Sequence, residues 1–142
     1  MKKYIRSERA NLFEPNVYIS MVIKISGNVS KENIQYAVER AYEANEATMS
    51  KIVLEDNGDA YYEKMECSGC KFFDANQSWQ ELLNQSEKNP FAINEGELVR
   101  TFLTEEDKQT ILLIHAYNTY KRRNYIKERK LILCRIYYQY QI

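Results

Sequence analysis

Two cysteines three residues apart and one histidine are the groups in this sequence best suited to chemistry near neutral pH. Cys67-Ser-Gly-Cys70 has the spacing that holds zinc or forms a redox dithiol. A tetrahedral zinc site needs two further ligands, for which Cys134 and His115 are the only candidates. Neither comes as part of a second close pair, so two incidental reduced thiols at a loop is the preferred reading, with no metal site. General acid–base chemistry would fall to His115, because its ordinary pKa lies nearest to neutrality. It closes the apolar run Ile111-Leu-Leu-Ile114, and the end of a strand is where an open α/β sheet presents reactive groups. A lone histidine is more often a hydrogen-bonded structural residue. No Ser-His-Asp pattern, Gly-rich phosphate loop or paired-carboxylate signature accompanies it.

The elements that must position these residues follow from periodicity. Val17, Ile19, Met21, Ile23 and Ile25 recur every second residue, which predicts a strand over 17–26 with one buried face. Gly27-Asn28 ends it. Ser30 then caps a helix that runs to about Asn45, with Ile34, Ala37, Val38 and Ala41 forming its apolar stripe. Segments 50–55 and 60–65 flank Asp56-Asn-Gly-Asp59, a hairpin in which Asn-Gly would supply the positive φ angles. Lys71-Phe-Phe-Asp74 is expected as a short strand and 78–84 as a short helix capped by Ser78, with Trp79, Leu82 and Leu83 on one side. Leu98–Thr104 and Thr110–Tyr117 read as two strands joined by the acidic turn 105–108. This order of elements predicts an α/β sandwich of two layers, a mixed sheet with helices on one face.

A length of 142 residues, 44% of them hydrophobic, suits one domain. The sequence has no apolar stretch long enough to span a bilayer, no export signal and an odd cysteine count. It is therefore expected to be cytoplasmic, with reduced thiols and no membrane contact. The formal net charge of zero joins two unlike segments. Residues 1–118 hold 13 Lys+Arg against 19 Asp+Glu, whereas 119–142 hold 7 against Glu128 alone. That tail also carries five of the 12 tyrosines and no Gly, Pro, Asp, Ala, Val or Phe. Lys121-Arg-Arg123, Lys127, Arg129, Lys130 and Arg135, interleaved with Tyr120, Tyr125, Tyr137 and Tyr138, have the charge and stacking groups of a nucleic-acid contact. A solvated helix face or an accidental sequence is the plainer reading, and nucleic acid is not the expected partner.

From about Arg6 to Ala116 the order of segments resembles the N-terminal lobe of condensation domains of nonribosomal peptide synthetases, part of the chloramphenicol acetyltransferase-like acyltransferases. The resemblance is carried most by Asn89-Pro-Phe-Ala-Ile-Asn-Glu-Gly-Glu-Leu-Val-Arg-Thr-Phe-Leu103, similar to the family's Pro-Phe, Gly, Leu-Val/Ile-Arg and Leu stretch, and by the strand that follows. It implies acyl transfer from a thioester, on coenzyme A or a phosphopantetheinyl carrier protein, to an amine or alcohol, with no resident cofactor. In the family the strand leads into His-His-x-x-x-Asp-Gly, whose second His serves as general base. Here it leads into His115-Ala-Tyr-Asn-Thr-Tyr-Lys-Arg-Arg-Asn124. On that alignment His115 matches the first His as a remnant, and Ala116 stands at the base position. Shifted by two residues, Tyr117 and Asn118 replace both, and no Asp-Gly follows either way.

The departure coincides with the change of composition. Codons for Thr119–Asn124, read one nucleotide later, can encode Leu-Ile-Asn-Asp-Gly-Thr, so the tail is expected to be out of frame. The resulting expectation is a condensation-type lobe over 1–118 that is inactive as this chain, with apolar surface left for a homodimer or a second lobe to cover. The alternative is a non-catalytic module that binds a protein partner or nucleic acid through its sheet face or basic tail.

Overall fold

The computed structural model describes residues 2–5 and 18–117. Its strands are β1 (Lys3–Ile5), β2 (Tyr18–Ile25), β3 (Ser50–Leu54), β4 (Ala60–Lys64), β5 (Lys71–Asp74), β6 (Val99–Glu106) and β7 (Gln109–Tyr117). Helix α1 spans Lys31–Glu43, α2 spans Trp79–Lys88, and Ile93–Glu95 forms one 3-10 turn. The Ser30 hydroxyl accepts a hydrogen bond from the Asn33 amide, and Ser78 does the same for Glu81, so both helices start where a side chain satisfies an otherwise unpaired N–H. Helix α2 runs four residues beyond the expected Asn84. Its last turn buries Ser86, a polar residue that an apolar stripe could not reveal.

Two hairpins differ in detail from their sequence expectation. In the first, only Gly58 takes a positive φ, 83°; Asn57 instead accepts the Asp59 amide through Oδ1 at 2.9 Å. The Gly58 amide donates to the Glu55 carbonyl at 2.8 Å and the Glu55 amide to the Asp59 carbonyl at 2.7 Å, a tight turn closed by one left-handed glycine. In the second, β6 runs through Glu106 and β7 starts at Gln109. The turn is therefore the two residues Asp107 and Lys108, both left-handed at φ 51° and 63°, rather than the whole stretch 105–108.

The strands form two sheets, β1-β4-β3 and β2-β7-β6-β5. All pairs are antiparallel except β5–β6, which is parallel and bridged by α2. The α/β class with a mixed sheet stands, but the helices are divided between the faces. Thr101 of β6 faces α1, where its hydroxyl is hydrogen-bonded to Tyr42. Arg100, one residue earlier and so on the opposite face, reaches Ser86 of α2. Both helices on one face is thus corrected to α1 on one side and α2 on the other.

Between α1 and the four-stranded sheet lies a core of Ile34, Val38, Ala41, Tyr42, Val99, Leu103 and Leu112. Each fully buried aliphatic side chain contributes about 2 kcal/mol. Ile23 and Ile25 of β2 pack against this core yet stay partly exposed, so the alternation expected of β2 is present without a fully buried face. A second core of Ile5, Ile52, Ala60 and Leu98 underlies the three-stranded sheet. Cys70 packs against both cores. Beside it Gly69 lies so close to the Glu95 carbonyl that a Cβ would collide.

Candidate functional site

His115 is not at a strand end. It lies inside β7, directly opposite Arg100 of β6 and Ser20 of β2, and is wholly buried. Helix α2 covers it, and Ser86 Oγ sits 2.6 Å from its Nδ1. Arg100 Nη1 donates to the same hydroxyl at 3.1 Å, which leaves the Ser86 proton for Nδ1 and assigns the ring proton to Nε2. Nε2 itself has no hydrogen-bond partner among the described residues. Around the ring stand Tyr18, edge-on with centroids 5.0 Å away, and Phe91 at 5.1 Å. Tyr117 completes the aromatic group, 5.9 Å from Phe91. Burial, and then the neighbouring Arg100 charge, lower the His115 pKa from 6.5 to about 4, so the imidazole is neutral at neutral pH.

Arg100 is the hub of this arrangement. Its Nη1 also donates to the carbonyls of Ser86 at 2.9 Å and Asn89 at 2.8 Å, and its Nη2 donates to Pro90 at 2.9 Å. The guanidinium lies over the Phe91 ring, 4.1 Å from its centroid. Nη2 also meets Glu97 Oε1 at 2.7 Å, in an ion pair where both side chains are buried. Burial alone would raise the Glu97 pKa. Hydrogen bonds from Arg100, the Ala92 amide and Lys71 outweigh it and hold the carboxyl below its ordinary value. The planar fork of Arg100 therefore fastens the segment between α2 and β6 to the sheet.

His115 has no exposed surface in this arrangement. Ala116, at the position the family resemblance assigns to the base, packs against the core on the α1 side. Ser86, Glu97 and the bonding role of Arg100 were missed. The available signal was an arginine set inside the apolar strand Leu98–Leu103 with an acid three residues before it.

The cysteines are not brought to this site. Cys70 is half-buried, with its thiol pushed up by burial and lying 3.8 Å from the carbonyls of Thr48 and Gly96; Cys67 is exposed. Cys70 packs into the core on the α1 side, across the sheet from His115. Among the described residues no group of three or more His, Cys, Asp or Glu could hold a metal ion, and no helix is long and apolar enough to cross a membrane. Cys134, Asn118 and the basic tyrosine-rich tail lie outside the described residues.

No family model matches the sequence, and no curated protein matches it. Solved structures do match the fold. The starter condensation domain of rhizomide synthetase RzmA, in complex with C8-CoA, aligns over 99% of this chain and 35% of its own, at 13% identity and a TM-score of 0.73. The tallysomycin biosynthesis protein TlmII aligns over 96% of this chain and 38% of its own, at 14% identity and the same TM-score of 0.73. The condensation domain of the monacolin K polyketide synthase MokA covers 82% of this chain and 29% of its own, at 9% identity and a TM-score of 0.66. The chain spans about a third of the length of these structures. Its fold is that of part of a condensation domain, in the chloramphenicol acetyltransferase-like class that the sequence resembles.

Proposed function

We propose that these residues form one lobe of a condensation-type acyltransferase and that this chain does not transfer acyl groups by itself. The observation that carries the reading is at β7: where the related motif would place a base, Ala116 packs a methyl group on the core, and the neighbouring His115 is sealed beneath α2. Loss of a general base alone typically slows such chemistry by a factor on the order of 100 to 10,000. Substrate positioning in the complete architecture is shared between two lobes, of which these residues form one. In the complete architecture the partners are a thioester on coenzyme A or a carrier protein and an amine or alcohol acceptor. The same reading puts the chain in the cytoplasm, where Cys67 and Cys70 remain thiols.

The test is thiol release from acyl-CoA and acyl-pantetheine thioesters, with and without amine and alcohol acceptors, by the purified chain. Release at the buffer rate is expected. Acceptor-dependent turnover that disappears in His115→Ala would overturn the reading, because it would require a working base in a residue assigned here to packing.

A further inference from the structure

The outer edge of β2 carries an interaction surface that this function does not use. β2 is eight residues long, paired with β7 along its whole length, and stands at the end of its sheet with no described strand on the other side. Such an edge presents a row of N–H and C=O groups that can template a further strand. Edge strands are ordinarily protected by proline, a bulge, several charges or short length. β5, at the opposite edge, is only four residues long and bears Lys71 and Asp74, the latter ion-paired with Lys31 at 3.3 Å. β2 has one charge, Lys24, and no proline, glycine or irregular pairing. Ile19, Met21, Val22, Ile23 and Ile25 are all partly exposed.

We propose that β2 pairs antiparallel with β2 of a second copy of this chain, about a two-fold axis at Val22, joining the two four-stranded sheets into one. Alternation restricts the register, because residues directly opposite each other in an antiparallel pair lie on the same face. An axis at Val22 sets Ile19 against Ile25 and Met21 against Ile23 on the α1 side, so an apolar row continues across the junction. On the other face Val22 meets its own copy. Lys24 meets Ser20, exposed like itself, and no two like charges are brought together. The interface involves only β2 and its surroundings and is independent of the acyltransferase reading.

Sedimentation velocity of the full chain over a concentration series, with two variants, tests the interface. Val22→Lys puts two ammonium groups at the axis and is expected to weaken the dimer on the order of 100-fold. Ser20→Glu, at an exposed position, faces Lys24 of the other copy and is expected to tighten the dimer about 2- to 5-fold, an effect removed by high salt. Circular dichroism checks that Val22→Lys keeps its fold, and Ser20→Glu reports on the register without depending on that check. A chain that stays monomeric at every concentration overturns the proposal. So does a dimer indifferent to both substitutions, or one that Ser20→Glu weakens.

Discussion

His115 is buried beside Arg100, and that burial makes the protein sensitive to acid. In the unfolded chain the imidazole titrates near 6.5; in the fold its pKa is lowered to about 4 by burial and by the Arg100 charge. Between these values the unfolded state binds more protons, so stability is full above about pH 6.5 and falls as pH drops toward 4. The loss is on the order of 2 kcal/mol at the acid end. Urea midpoints from pH 7.5 to 4.5 are expected to decline, and the decline should be shallower in His115→Phe, which keeps a ring and removes the titration. Equal slopes in the two proteins would place the acid sensitivity elsewhere. His115 was legible in the sequence as the one group able to titrate near neutrality. Its burial was not, because the covering Ser86 lies beyond the point where apolar periodicity in α2 gives out.

Elements whose apolar residues repeat within a single segment were readable; those defined by distant pairing were not. α1 is an instance of the first kind, since Ile34, Ala37, Val38 and Ala41 alone mark its buried side and Ser30 marks its start. β1, three residues long, is of the second kind, fixed only by its pairing with β4. The split into two sheets and the placing of the helices on opposite faces likewise depend on register between remote segments. Turn chemistry lay between these cases. Asp107 and Lys108 are the only described non-glycine residues with positive φ, a conformation that ordinary side chains resist. Lys108→Gly is therefore expected to stabilise the protein by about 1 kcal/mol, seen as a higher urea midpoint with an unchanged slope. An unchanged or lower midpoint would mean that the lysine side chain compensates for its backbone.

For the molecule as a whole, the resemblance to a condensation-type lobe was visible because Asn89–Leu103 joins the end of α2 to β6, the stretch that Arg100 ties down. The boundary at Thr119 raises a separate expectation: DNA sequenced through the codons for Ala116 to Asn124 should show a shifted frame encoding Asp-Gly. A closed frame would make 119–142 the chain's own sequence and leave its basic character to be explained by binding. The sheet order has a further consequence, for the time course of folding. β7 is central and pairs with β2 so that Tyr18 faces Tyr117, the first and last residues of the described segment 18–117. During synthesis β2 has left the ribosome long before its partner is made, and closing so long a loop is slow compared with forming α1 or the β3–β4 hairpin. Until β7 emerges, both sides of β2 are available to other chains. Shortening the chain anywhere before Gln109 would therefore remove the strand on which β2 and β6 both depend, and with it the link between them.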